Sequence, residues 1–329
     1  MNLSIIQIRS TACILVLLTH VSAVFYITES NEFQNSLLAY INQFSRFGTP
    51  LFCVITGFLF ARYFYETLNT KYFYNSRIKK ILIPYILWSA LYLFVVYFFS
   101  KSLFLNFSND PLINFLSGKI FYHLYFMSTI IQFCLIFPLI CLLKKVHVTI
   151  TTSIALLINT FSLIYLYKSD FYFISDRAFV LNWIFYFFFG ILFFKYKNLK
   201  ISKILILFFI LFLLGSISYE ILISRKIFES TRLENLIYIP VLFTIMYNLF
   251  SRVTSKKLIK IGYYSMGIYL THPLLILAMK KIIPSHFFEQ YPTSSFVFIL
   301  VLTISLCFSL CFFISKFSFS TFIITLPKK

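Results

Sequence analysis

Five ionisable side chains interrupt long apolar runs of this 329-residue chain: Arg9, His20, His123, Glu220 and His272. On insertion scales, Arg, Lys or Asp at the centre of a membrane helix costs about 2.5 to 3.5 kcal/mol, so each such group marks a candidate for chemistry. Arg9 and His20 are eleven residues apart. At about 100° per residue that is three turns plus roughly 20°, which sets both on one helix face with a rise of about 16 Å. Such a pair can line a polar path inward from the cytosol. Taken singly, Arg9 also reads as a snorkelling interfacial anchor, and His20 as a neutral imidazole bonded to a neighbouring helix.

His272 lies within Met266 to Pro273 and reaches a depth similar to that of His20 by the same rise. It reads equally as a pocket partner and as part of a kink, because Pro273 removes a helical hydrogen bond. His123 begins one apolar run and Glu220 falls late in another. Both are expected near the outer interface, where exposure alone explains them and contact with an external acceptor is the functional alternative. Arg77, Lys79 and Lys80 precede Ile81 and form the densest basic cluster at a helix entrance. That cluster anchors the helix on the cytoplasmic side and also suits a phosphate-rich ligand such as coenzyme A.

The elements that must carry these residues follow from composition. The apolar set makes up 60% of the chain and charged residues only 12%, half the usual charged share, which excludes a soluble globule, a disordered chain and a collagen-like one. Long apolar runs with only 7 Gly and 9 Pro exclude an alternating outer-membrane barrel and fit helices of about 20 residues. The expected fold is therefore all-α and polytopic, a single membrane domain over residues 1–329 with ten transmembrane helices. The expected spans are Ile5–Tyr26, Phe44–Phe64, Ile81–Phe99, Phe121–Leu143, Thr149–Tyr167, Phe179–Phe194, Ile204–Ser224, Leu236–Phe250, Tyr263–Met279 and Ser295–Ile314.

Ten spans divide the connections into two alternating sets. One holds most of the lysines and arginines, among them Arg62, Arg77, Lys79, Lys80, Lys144, Lys145, Lys195, Lys197, Lys200, Arg252, Lys256, Lys257, Lys328 and Lys329, with Glu66 its one acid. The other carries Glu29, Glu32, Asp110, Asp170, Asp176, Glu229, Glu234 and Glu289. The positive-inside rule makes the first set and both termini cytoplasmic. The net charge of +19 is thus read as topology, and no nucleic acid is expected as a partner. Because Arg9 and His20 interrupt the first run, that span is expected to stay in the mature protein. Cys13, Cys53, Cys134, Cys141, Cys307 and Cys311 all lie in apolar runs without zinc-ligand spacing, so neither a disulfide nor a metal is expected. Hydrolase and glycosidase readings lack a Gly-x-Ser-x-Gly elbow and paired carboxylates.

Ile8-Arg9-Ser10-Thr11-Ala12 through His20 resembles the arginine, ten residues, histidine signature of the membrane acyltransferase-3 family. Phe47-Gly48-Thr49-Pro50-Leu51-Phe52 through Thr56-Gly57-Phe58-Leu59 is similar to its second-span pattern, with Thr56 where serine is usual. Arg77-Ile78-Lys79-Lys80 before Pro84 resembles its basic cytoplasmic motif, Lys80 standing in the second arginine position. His123-Leu124-Tyr125-Phe126 resembles a histidine-leucine-tryptophan segment with tyrosine for tryptophan, and Tyr269-Leu270-Thr271-His272-Pro273 resembles the late tyrosine-leucine-histidine span. Phe47 to Pro50, Ile81 to Ile86 and Asn182 to Gly190 look closest to the branch of the intercellular-adhesin polysaccharide O-succinyltransferase.

The resemblance implies a multi-pass protein of a bacterial plasma membrane that moves an acetyl or succinyl group from cytosolic acyl-CoA to a hydroxyl of a cell-surface or lipid-linked polysaccharide. It implies His20 as the catalytic residue and Arg9, Arg77 and Lys80 as the acyl-CoA-binding ones, with His272, His123 and Glu220 as pocket or acceptor candidates. The chain would work alone or recruit another membrane protein of glycan synthesis. The competing class is a glycan exporter or flippase, which intramembrane Arg, His and Glu also suit; an inactive scaffold is the third.

Overall fold

Local signals set five of the helix starts. Asn2, Asn35, Asn69, Ser202 and Ser255 each accept a backbone N–H two or three residues ahead, the usual device for the unpaired amides of a first turn. The computed structural model describes residues 2–27, 32–65, 67–99, 104–105, 108–168, 177–196, 202–224 and 229–326. Glu29, Glu66, Asp170, Asp176, Lys197, Lys200, Lys328 and Lys329, part of the charge pattern above, lie outside the described residues.

The described elements are helical apart from one antiparallel pair of two-residue strands, Tyr26–Ile27 and Glu32–Phe33. In chain order the α-helices are α1 (Leu3–Ser22), α2 (Ser36–Ser45), α3 (Gly48–Phe60), α4 (Thr70–Arg77), α5 (Ile83–Phe99), α6 (Pro111–Leu116), α7 (Tyr125–Leu142), α8 (Val148–Lys168), α9 (Ile184–Lys195), α10 (Lys203–Tyr219), α11 (Asn235–Arg252), α12 (Lys256–Ile282), α13 (Ser285–Gln290), α14 (Pro292–Ile314) and α15 (Ser320–Ile323). Wider π-helical turns run over Ala61–Tyr65, Ile78–Leu82 and Glu220–Ser224. Lys80 and Glu220 both sit in such turns, which occur often at functional sites.

Among the described residues, seven helical stretches are long and apolar enough to cross a membrane: Leu3–Phe25, Ser36–Tyr65, Thr70–Phe99, Tyr125–Leu142, Val148–Tyr165, Lys203–Ile223 and Pro292–Ile314. Each overlaps an expected span, and the protein is a multi-pass membrane protein. The remaining three expected spans are helical but do not reach that standard. Ile184–Lys195 has 12 residues, about 18 Å at 1.5 Å per residue, short of a hydrocarbon core of roughly 30 Å. α11 and α12 are long enough, but polar residues dilute them, among them the lysines at both ends of α12. The outward faces of α10 and α14 carry exposed Leu205, Phe208, Leu211, Phe212, Val297, Phe298 and Val301, a surface suited to lipid tails.

The chain groups into two compact units. The first comprises Met1–Phe52, Leu199–Phe317 and Leu326–Lys329; the second comprises Cys53–Asn198 and Ser318–Thr325. In the first unit α1 packs most extensively on α12. Gly262 makes this possible, since a Cβ there would stand 2.4 Å from the Ile6 carbonyl oxygen. Polar bonds then fix the register. The Ser10 hydroxyl donates to the Leu258 carbonyl, and fully buried Gln7 spans the α11–α12 connection by donating to Val253 O at 3.2 Å and accepting from Ser255 N at 2.7 Å. On another side of α1, Asn42 of α2 donates to Thr19 O at 3.0 Å and to Ser22 Oγ at 2.9 Å. Bonds of this kind join helices where no hydrophobic force between them is available.

In the second unit Gly57 of α3 and Gly190 of α9 bring two backbones together. A Cβ on Gly57 would lie 2.0 Å from the Phe187 carbonyl oxygen, and one on Gly190 would lie 2.2 Å from the Val54 carbonyl oxygen. Around this crossing an aromatic core forms, with Phe133 stacked on Phe187 at 4.3 Å and Phe60 edge-on to Phe137 at 4.9 Å.

Candidate active site

α1 is one unbroken helix over Leu3–Ser22, so the spacing that sets Arg9 and His20 on one face holds along its length. The side chain of Arg9 is half-buried and one turn before Cys13, with no hydrogen-bond or ion-pair partner among the described residues. His20, also half-buried, stacks on His272 of α12 with ring centroids 5.2 Å apart and planes 28° from parallel. Of the seven candidate residues, these two are brought into direct contact.

His272 is fully buried, and its backbone explains its orientation. Pro273 has no N–H to donate to the Tyr269 carbonyl four residues back, and the imidazole interacts with the backbone of both Ile268 and Tyr269. Its Nδ1 lies 3.1 Å from the Ile268 carbonyl oxygen. A carbonyl only accepts, so in the neutral ring Nδ1 carries the hydrogen and Nε2 the lone pair; the assignment follows from this hydrogen bond. The Tyr269 ring borders the pair at 6.0 Å from His272 and meets Phe52 at 6.3 Å. Both readings of His272, pocket partner and kink residue, thus describe the same turn of helix.

Glu220 is not an exposed interfacial carboxylate. Its side chain is 6% exposed and accepts from Arg232 Nη1 at 2.9 Å. Arg232 was not expected as a site residue, because it falls in a connection between apolar runs. The signal that finds it is the carboxylate itself, since a charge buried at the edge of a membrane helix demands a counter-charge.

In the second unit the Arg77 guanidinium lies among three rings, 5.5 Å from Phe60, 5.3 Å from Phe64 and 5.7 Å from Phe73. Its Nη2 donates to Ser76 Oγ at 3.2 Å, while Nε has no acceptor among the described residues. Arginine, more weakly hydrated than an ammonium, tolerates such a cage. Lys79 is exposed and Lys80 half-buried, and Thr325 Oγ1 donates to the Lys80 carbonyl at 2.6 Å. His123 is likewise not at an exposed interface. It is fully buried among Tyr92 at 4.8 Å, Tyr122 at 5.8 Å and Phe121 at 6.0 Å. All six cysteines are buried free thiols.

A family model described as an acyltransferase domain matches residues 2–312. A protein of Staphylococcus aureus (strain Mu50), named as a probable poly-beta-1,6-N-acetyl-D-glucosamine export protein, is 25% identical over 98% of this chain and 95% of its own length. A protein of the same name from Staphylococcus epidermidis is 26% identical over 84% of this chain and 81% of its own length. No solved structure matches the chain.

Proposed function

The chain belongs to the acyltransferase domain family whose model spans it, and from that premise we propose that it is a membrane O-acyltransferase that moves an acetyl or succinyl group from acyl-CoA to a hydroxyl of a cell-surface or lipid-linked polysaccharide. The observation that carries this reading is the stacked His20–His272 pair inside the first unit. A sugar hydroxyl is a poor nucleophile until a base takes its proton, and an imidazole with a reference pKa of about 6.5 is the side chain best matched to that task near neutral pH. His20 takes the hydroxyl proton as the oxygen attacks the thioester carbonyl. The carbon–sulfur bond then breaks and the proton passes to the departing thiolate. The alternative is an acyl group carried on His20 itself, which then passes to the sugar.

Ten spans with both termini cytoplasmic belong to the same proposal, with the three less apolar helices crossing beside the other seven. Arg77 and Lys80, within the second unit, are proposed holders of the acyl-CoA phosphates. Acyl-CoA binding to the purified protein checks this pair: Arg77→Ala with Lys80→Ala is expected to weaken it by at least about tenfold, as loss of charge-assisted contacts does. Unchanged binding refutes the assignment.

The names of the staphylococcal relatives favour a second reading, export of a poly-β-1,6-N-acetylglucosamine chain. Cells lacking this protein separate the two. The enzyme reading expects glycan that still reaches the surface but has lost its base-labile acyl esters. Glycan retained inside the cell, with its esters unchanged, is the outcome that defeats it.

A further inference from the structure

His20 lies in the last turn of α1, which ends at Ser22. The polar bonds of α1 to α12 and to the connection before it lie at Gln7 and Ser10. Ser10 is ten residues, about 15 Å, before His20. Nearer to His20, Val21 and Phe25 pack with Ile276 and Met279. Burial of this kind is non-directional: it draws two helices together without fixing their rotation. A ring carried about 6 Å from a helix axis moves about 2 Å for every rotation of about 20°. A misplacement of about 1 Å at a reacting group can cost on the order of 10²-fold in rate. The pairing of His20 with His272 therefore needs a directional contact at this end of α1.

Asn42 of α2 supplies it. The residue is fully buried, and its Nδ2 donates to Thr19 O at 3.0 Å and to Ser22 Oγ at 2.9 Å, on either side of His20. Its Oδ1 accepts from Arg46 Nε at 3.1 Å and from Gln43 Nε2 at 3.3 Å. A guanidinium only donates and a carbonyl only accepts, so the amide stands one way round. The arginine charge polarises it and strengthens the bonds it donates. A second branch runs from Thr19 Oγ1 to Ser45 Oγ at 2.8 Å, and from Ser45 Oγ to the Asn42 carbonyl at 2.8 Å. α2 is itself anchored, since Asn35 Nδ2 donates to Thr293 Oγ1 at 3.1 Å and the Tyr40 hydroxyl donates to Ser218 Oγ at 3.1 Å. α2 thus holds the turn of His20, as the Ile268 carbonyl holds the ring of His272.

We propose that Asn42, backed by Arg46, is a positioning residue of the acyl transfer: it fixes the last turn of α1 so that His20 keeps its place against His272. This rests on the reading of His20 as the group that takes the hydroxyl proton or carries the acyl group.

Asn42→Asp, made in the full chain in lipid nanodiscs, tests it. The change is isosteric and keeps an oxygen opposite Arg46, now as an ion pair, but sets an acceptor where the donor to the Thr19 carbonyl stood. Isotope-labelled histidine reports the rings by nuclear magnetic resonance without any substrate, and the chain has only five histidines. The His20 and His272 signals are expected to move while that of His123, in the second unit, does not, and the melting temperature is expected to stay close to that of wild type. In the transfer assay kcat is expected to fall at least about tenfold with KM for acyl-CoA within about twofold, the pattern of a lost transition-state geometry. A purely structural role predicts the reverse: a lowered melting temperature, with ring signals and kcat of the folded protein unchanged. The proposal fails if the His20 and His272 signals coincide with those of wild type, or if kcat stays within twofold of an active wild type. Should Asn42→Asp not fold, Ser22→Ala decides by the same signals, because it removes one of the two acceptors of the Asn42 amide; unmoved rings overturn the proposal. Wild type that transfers nothing overturns the enzyme reading alone, since the rings, read without donor or acceptor, still decide whether Asn42 holds the pair.

Discussion

Replacing His20 with alanine is expected to lower acyl transfer to glycan by about 10² to 10⁴, the usual worth of a positioned acid–base group, with little change in folding. The fold is spared because α1 is held elsewhere: by Gln7 across the α11–α12 connection, by Ser10 on Leu258 and by Asn42 at Thr19 and Ser22. His20 itself is only half-buried, so the lost ring leaves no sealed void. His272 keeps its bond to the Ile268 carbonyl in the variant. The same variant separates the two mechanisms. If wild-type protein retains labelled acyl groups in the absence of glycan and the alanine variant does not, the covalent route holds; label retained by neither leaves His20 as base. Full transfer by His20→Ala ends both.

Gly57→Val is expected to be among the most damaging single changes in the second unit. A Cβ at Gly57 would stand 2.0 Å from the Phe187 carbonyl oxygen, and the clash is with backbone, which no rotamer change relieves. α3 and α9 would have to separate, opening the core in which Phe133 stacks on Phe187 and Phe60 meets Phe137. A cost of at least about 3 kcal/mol follows from overpacking with lost ring contacts. Thermal unfolding in nanodiscs checks it, Gly215→Ala serving as control because nothing lies within 4 Å of a Cβ there. Equal melting of the two variants would show that the crossing is not close-packed.

Hydropathy alone made the helical membrane class legible, because 60% apolar content in long runs leaves few other solutions. The number of crossings was less legible, since polar residues dilute α11 and α12, and a 12-residue helix at Ile184–Lys195 is too short to register by length. The Arg9 to His20 spacing survived because it is local to one helix, whereas the partnership of His20 with His272 joins positions 252 residues apart, a contact no spacing reveals. His123 and Glu220 were assigned exposure by their nearness to run ends. Tertiary burial overrides that rule wherever rings or a counter-charge close over the group. Gln7 and Asn42 were invisible because a lone amide in an apolar run has many uses until its acceptors are known.

The central claim, acyl transfer by this chain, is tested most directly by reconstituting the purified protein in liposomes with a glycan acceptor and labelled acetyl-CoA or succinyl-CoA, wild type beside His20→Ala. The account predicts label in the glycan from at least one donor with wild type and almost none with the variant. Folded wild-type protein that leaves the glycan unlabelled with both donors, while moving unmodified glycan across the bilayer, would contradict it and establish export instead.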